Sequence, residues 1–159
     1  PCQCGALIAG ASENELETVG SFGEAIGIGF QVRDDLLNLT EESETKAPIA
    51  GAGGYGKERG GDIAEGKRTL ITIELLERLS EKDAERVRSI LLETREQIPE
   101  SDIDWCIVQA ESTGALNAAA NYCHEQAKLA SAALEKLPNQ HVSSLLGELV
   151  DYLTIDRKA

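Results

Sequence analysis

Methionine is absent from this 159-residue sequence, and Phe, Tyr and Trp together make up only 4 % of it. So low an aromatic content disfavours a β-sandwich, whereas abundant Ala and Leu favour helices. No segment alternates apolar and polar residues with a period of two, so the sequence predicts no strand. Because the chain begins at Pro1 and lacks Met, we expect a fragment or a processed chain.

Basic residues are also scarce, since 15 Lys and Arg stand against 28 Asp and Glu, a net charge of −13. This balance argues against nucleic acid as a partner and disfavours binding to anionic membranes. Apolar runs of the roughly 18 residues that span a bilayer are missing, as is a secretory signal. We therefore expect a cytoplasmic protein. The four cysteines form no C-x-x-C pair and no paired His accompanies them, so neither a zinc knuckle nor a disulfide framework is supported.

Helical patterns fill most of the sequence. Ser12 and Glu15 form the signature of a capping box, which predicts a helix over about 13–39. Apolar residues then recur at helical spacing over 70–79, 87–98, 103–110 and 142–153, and a seam of mostly small residues is predicted. That seam contains Leu116, Ala120, Cys123, Ala127, Ala130, Leu134 and Leu137. The sequence predicts one all-α domain over 1–159, an antiparallel bundle of about six helices.

Residues 41–62 break the helical pattern with Pro48 and six glycines between 51 and 61. We predict a long mobile loop whose Lys57 can close over an anion. The glycines also match G-x-G-x-x-G and most of a P-loop. Both motifs require a preceding strand, and the P-loop requires Ser or Thr where this chain has Glu58, so neither nucleotide-binding fold is favoured.

A polar stripe lies late in the predicted helix over 13–39. Gln31, Asp34, Asp35 and Asn38 are spaced i, i+3, i+4 and i+7, which puts them on one helix face. Adjacent carboxylates repel unless a cation bridges them, and such oxygen ligands suit magnesium. The alternative is a solvated acidic face. The apolar side chains around the Asp pair favour the metal site.

A longer motif contains this stripe. It consists of Phe30-Gln31-x-x-Asp34-Asp35-x-x-Asn38, Gly56-Lys57, Gly60-Gly61-Asp62 and Glu65-Gly66-Lys67-x-Thr69-Leu70. The motif closely resembles the second aspartate-rich motif and the lysine motif of the trans-isoprenyl diphosphate synthases. Similar residues continue to the C-terminus, at Thr113-Gly114-Ala115-Leu116, Leu134-x-x-Leu137-Pro138 and Leu149-x-x-Tyr152 with Arg157. The resemblance implies the C-terminal half of the class I isoprenoid (terpenoid) synthase fold.

The resemblance also implies an activity, the condensation of an allylic prenyl diphosphate with isopentenyl diphosphate. Asp34 would ligate magnesium directly, with manganese as an alternative ion, while Asp35 and Asn38 would orient its waters. The relatives are homodimers, and we expect the same here.

Three further residues are implied as substrate-binding or catalytic. Lys57 and Lys67 would neutralise the diphosphate of the allylic substrate, and Gln31 would face the reacting carbons near Phe30. Gln31 and Lys67 are the residues that we expect to be catalytic.

This sequence departs from the family pattern in two ways. Position 38 is Asn where many members have Asp, which we interpret as a variant and not a loss. The first aspartate-rich motif is absent, so we expect the chain by itself to bind diphosphate weakly and to catalyse nothing. The alternatives are a non-catalytic regulatory subunit with the same fold and a head-to-head condensing synthase.

Overall fold

The computed structural model describes residues 1–40 and 59–156, and for 155–156 the main chain only. All of the regular structure in these residues is helical, as the sequence predicts. The α-helices are α1 (Cys2–Ile8), α2 (Glu13–Leu39), α3 (Gly61–Ala64), α4 (Leu70–Arg78), α5 (Glu81–Ile90), α6 (Glu100–Ser112), α7 (Ala115–Leu134) and α8 (Gln140–Asp151). A 3₁₀ turn (Arg95–Gln97) and a π-helical turn (Tyr152–Asp156) complete them.

Helix α2 has the predicted bounds, and a capping box fixes its beginning. The Ser12 Oγ–H donates to the Glu15 carboxylate at 2.6 Å, and the Glu15 N–H donates to Ser12 Oγ at 3.4 Å. The Ser12 N–H also donates to that carboxylate, at 2.8 Å. These bonds satisfy N–H groups that the first helical turn leaves without partners, and they lower the pKa of Glu15.

The chain divides into two compact units, and the division falls inside α2, after Arg33, and inside α7, before Asn121. Among the described residues, the first unit combines 1–33 with 121–156, and the second combines 34–40 with 59–120. The single domain over 1–159 remains a prediction. None of the helices in the described residues combines the length and apolar composition that a membrane crossing requires.

The core of the first unit is built from small and aliphatic side chains. It comprises Phe22, Ala25, Ile26, Ala127, Ala130, Ala133, Leu134 and Val150. At Gly29 the backbone approaches its neighbours so closely that an added Cβ would lie 3.0 Å from Thr154 Cγ2. The Cys123 thiol fills the adjoining space, with Sγ 3.2 Å from the Gly29 oxygen and 3.3 Å from the Thr154 oxygen. Small residues therefore bring these elements together.

The predicted seam on α7 is right in its C-terminal part and shifted in its N-terminal part. From Cys123 onwards the predicted residues are buried, except for half-buried Leu137. Before it, Ala115 and Ala119 are fully buried, whereas the predicted Leu116 and Ala120 are only partly buried. With Ala at 115, 118, 119 and 120, the sequence offers several faces of nearly equal hydrophobicity, so burial was decided by packing.

The last helix also differs from its predicted apolar face. Val150 is the fully buried residue of α8, whereas Leu145 is 60 % exposed. The apolar residues of α8, at 142, 145, 146, 149 and 150, form one stripe with Leu145 and Val150 at its opposite edges, so packing decides which edge is buried.

Two further helix boundaries differ from the prediction. Helix α5 ends at Ile90 instead of continuing to 98, because the chain turns at 91–94 before the 3₁₀ turn. The predicted loop over 41–62 ends earlier, since α3 begins at Gly61. Residues 41–58 of that loop lie outside the described residues.

Candidate diphosphate and metal site

The polar residues of α2 become progressively less exposed towards its end. Gln31 is exposed and Asp34 is partly buried, whereas Asp35 is 8 % and Asn38 3 % exposed. The predicted stripe is therefore not a uniformly solvated acidic face. Phe30, partly buried, and Gln31 lie on the same helix within the first unit, while the Asp pair and Asn38 lie in the second.

The end of α2 holds the short turn that precedes α3. The Asn38 side-chain oxygen accepts the backbone N–H of Asp62 at 3.0 Å, and the Asn38 carbonyl accepts the N–H of Gly60 at 2.9 Å. Arg59 adds a third link, because its Nε–H donates to the Leu39 carbonyl at 3.1 Å. Polar bonds thereby join residues that are 20 to 24 positions apart in the chain.

Lys67 extends from the turn after α3 towards two acids. Its Nζ lies 2.6 Å from Asp62 Oδ1 and 2.9 Å from Glu65 Oε2. Hydrogen bonds to Asp62 first, and then to Glu65, raise the pKa of Lys67 well above its ordinary value. Lys67 is thus a cation throughout the physiological range, and its side chain, 52 % exposed, is accessible to a ligand.

The backbone of this turn is fixed from several sides. The Lys67 N–H donates to the Asp62 carbonyl at 2.9 Å, and the Thr72 hydroxyl donates to the Lys67 carbonyl at 3.3 Å. Gly66 has φ of +66°, and a Cβ added there would lie 2.6 Å from the backbone oxygen of Leu91. Both its conformation and its surroundings therefore require glycine at position 66.

A small cavity of about 10 Å³ lies in the second unit and is lined mostly by apolar side chains. Asp35, Asp62 and Lys67 line it together with apolar residues, among them Cys106. Burial raises the pKa of the Cys106 thiol to about 11, so this thiol is neutral. Of the predicted residues, the structure brings Asp35 and Lys67 together. Asp62 and Thr72 were not among the predicted site residues, although Asp62 stands in the motif and could have been included.

The acidic residues at the end of α2 offer oxygen ligands of the kind that a divalent metal binds. Among the described residues no group of three His, Cys, Asp or Glu side chains could hold a metal ion. Magnesium does not need such a group, because it binds one or two carboxylates and takes its other oxygens from water and substrate phosphates. The neighbouring carboxylates Asp34 and Asp35 fit that requirement. Lys57 and Arg157 lie outside the described residues.

Comparison with known proteins identifies the family. A family model described as polyprenyl synthetase matches residues 1–109, and the chain belongs to this family. It is 32 % identical over 151 residues to a short chain isoprenyl diphosphate synthase of Methanothermobacter thermautotrophicus, covering 95 % of this chain and 42 % of that protein. A geranylgeranyl pyrophosphate synthase of Geoglobus acetivorans is 32 % identical over 150 residues, covering 93 % and 41 % respectively. The chain thus spans about two fifths of the length of these relatives.

Solved structures show the same fold. A geranylgeranyl pyrophosphate synthase of Corynebacterium glutamicum, complexed with isoprenyl diphosphate and magnesium, superposes with a TM-score of 0.78 at 29 % identity. The match covers 96 % of this chain and 41 % of that one. A polyprenyl synthase of Caulobacter crescentus, complexed with calcium and isoprenyl diphosphate, gives 0.78 at 28 % identity, covering 99 % and 44 %. The chain therefore has the all-α isoprenoid synthase fold.

Proposed function

We propose that this chain is the C-terminal part of a trans-prenyltransferase that condenses an allylic diphosphate with isopentenyl diphosphate in isoprenoid biosynthesis. The observation that carries the proposal is the arrangement of Asp35, Asp62 and Lys67 around one cavity. The family membership and the diphosphate and metal complexes of similar proteins support it.

Lys67 is suited to bind the diphosphate. An ammonium group has three N–H donors, of which Asp62 and Glu65 accept two, so a third can be donated to a phosphate oxygen. The two carboxylates outweigh the single positive charge of Lys67. A polyanion would therefore need further positive charge to be held here, which is a role for a divalent cation.

Asp34 would ligate magnesium directly at the end of α2, with manganese as an alternative ion, and Asp35 would orient its waters. The metal, when bound, neutralises negative charge on the departing diphosphate. Gln31 near Phe30 would face the reacting carbons, and Lys57 would add a second cation at the allylic diphosphate. These assignments extend the family motif to this chain.

Two properties of the protein remain part of the proposal. We expect the complete enzyme to be a homodimer in the cytoplasm. We also expect the 159-residue chain by itself to bind magnesium diphosphate weakly and not to turn over substrate, because it carries one aspartate-rich motif.

The decisive test is an assay of the complete protein with magnesium, isopentenyl diphosphate and an allylic primer, in which the lengths of the products are measured.

Asp34→Ala should lower kcat by orders of magnitude at fixed magnesium, because it removes a metal ligand. Asp104→Ala, which replaces an exposed acid on α6, is the matched control, and its kcat should be near that of the parent protein. Near-normal turnover of Asp34→Ala would contradict the assignment. A complete protein that binds diphosphate without turnover would support the regulatory alternative.

A further inference from the structure

We propose that Asn38 is a positioning residue, which fixes the turn that carries Asp62 and Lys67 instead of contacting the metal or its waters. The inference rests on the proposed function and assigns this residue a different role from the one that the motif implies. Its basis is the hydrogen bond between the Asn38 side chain and the backbone of Asp62.

The side-chain oxygen of Asn38 is already bonded to the backbone. The Asp62 N–H donates to it at 3.0 Å, which fixes the orientation of the amide, because the NH₂ group cannot accept a hydrogen bond. The NH₂ group faces Gly61, where an added Cβ would lie 3.6 Å from Nδ2. Since that group is a donor only, it could not bind a cation either.

Asn38 is also buried. Asn38 is 3 % exposed, whereas Asp34 on the same helix is partly buried and accessible. Asn38 is also more buried than Asp35, which is 8 % exposed, and its one acceptor oxygen is already bonded to the Asp62 N–H. An uncharged amide also suits this position, because a carboxylate making the same bond would lose its hydration.

Hydrogen bonds connect Asn38 to Lys67 through Asp62. The Asn38 carbonyl accepts the Gly60 N–H at 2.9 Å, so both polar ends of this residue hold the turn. Asp62 in turn accepts the backbone N–H of Lys67 at 2.9 Å and its Nζ at 2.6 Å. Removal of the Asn38 side chain should therefore loosen the position of Lys67, which is two hydrogen bonds away.

The experiment measures amide hydrogen exchange by NMR in the 159-residue chain, which needs no ligand. Asn38→Ala should speed exchange of the Asp62 amide by up to about tenfold, the equivalent of one lost hydrogen bond, and that of Lys67 by less. Asn38→Asp keeps an acceptor oxygen and should preserve the protection of the Asp62 amide. Asn117→Ala, at an exposed position on α7, is the control. Unchanged exchange at Asp62 in Asn38→Ala would overturn the proposal.

Calorimetry with magnesium and inorganic diphosphate supplies a second measurement. Positioning predicts that Asn38→Ala weakens diphosphate binding about three- to tenfold at saturating magnesium, with an unchanged magnesium midpoint. The effect should vanish when Lys67→Ala is already present, because the two residues act through one contact. A shifted magnesium midpoint in Asn38→Ala would instead indicate a metal role and overturn the proposal.

The two measurements separate this inference from the proposed function. If no variant and not even the parent chain binds magnesium diphosphate, the proposed diphosphate site fails. Altered exchange at Asp62 and Lys67 in Asn38→Ala would then still support the positioning role. If Asn38→Ala does not fold, the Asn38→Asp variant tests the proposal instead. Faster hydrogen exchange of the Asp62 amide in that folded variant would overturn the proposal.

Discussion

Two regions of the molecule, the core of the first unit and the segment around Asp62 in the second, are each stabilised internally by a different kind of contact. In the first unit small side chains allow close packing, as at Ala130, which is fully buried, and at Gly29 beside Thr154. In the second unit the turn around Asp62 is held by side-chain bonds to backbone groups, among them the one from Asn38, a residue that is 3 % exposed. Close packing depends on side-chain volume, whereas the turn depends on individual donors and acceptors, so the two units should tolerate different substitutions.

The largest loss of stability should come from Gly66→Ala in the second unit. The substituted residue would keep a left-handed φ and bring its Cβ to 2.6 Å from the Leu91 oxygen, a backbone atom that cannot rotate away. We expect the free energy of unfolding to fall by about 2–4 kcal/mol, from backbone strain and overpacking together. Urea denaturation measures this.

Gly114→Ala is the matched control for that variant. Gly114 has φ of +77° but nothing within 4 Å of an added Cβ, so only the strain of the left-handed conformation remains. Its expected loss is about 1–2 kcal/mol. Equal losses in the two variants would show that the contact with Leu91 contributes nothing.

Overpacking the first unit should have the next largest effect. Ala130→Leu adds three carbons at a fully buried position and should lower the free energy of unfolding by about 1–3 kcal/mol. Ala132→Leu, two residues along the same helix at an exposed position, should change it little. Similar thermal denaturation midpoints for the two variants would contradict tight packing of this face.

The capping box should have the smallest effect. Ser12→Ala removes both hydroxyl bonds at the start of α2 and should cost about 0.5–2 kcal/mol. Because the pKa of Glu15 is lowered in the folded chain, its contribution is present above the ordinary pKa of 4.5 and is lost as pH falls through the lowered value. Denaturation of parent and variant at pH 7 and pH 3 should therefore differ most at pH 7. A larger difference at pH 3 would contradict this sign.

Much of the fold followed from local patterns in the sequence. The beginning of α2 was predicted because Ser12 and Glu15 lie three residues apart, which is the signature of a capping box. The spacing of Asp34 and Asp35 within the polar stripe also predicted that their side chains lie on one face of the helix. Such features depend on residues within one or two helical turns, which is why they can be inferred without tertiary structure.

Other features depended on distant residues and were predicted poorly. The buried face of α7 begins with Ala115 and Ala119, yet neighbouring alanines fit the same periodicity. The exposure of Leu145 on α8 likewise depends on what packs against that helix. Periodicity identifies an apolar residue, but it does not show which of several apolar faces finds a partner.

The sequence by itself determined that this chain is helical and that its second unit contains paired carboxylates and a lysine motif, because helix periodicity, capping and motif spacing are local. Tertiary structure alone decided that Asn38 bonds to the Asp62 backbone, that Asp62 accepts from Lys67, and that Asp35 shares their cavity. The Asn38 bond and the shared cavity join segments that are separated along the chain, whereas Asp62 and Lys67 are five residues apart and meet across the short helix α3 and the turn after it. Hydrogen bonds require partners within about 3 Å, and only folding brings such partners together.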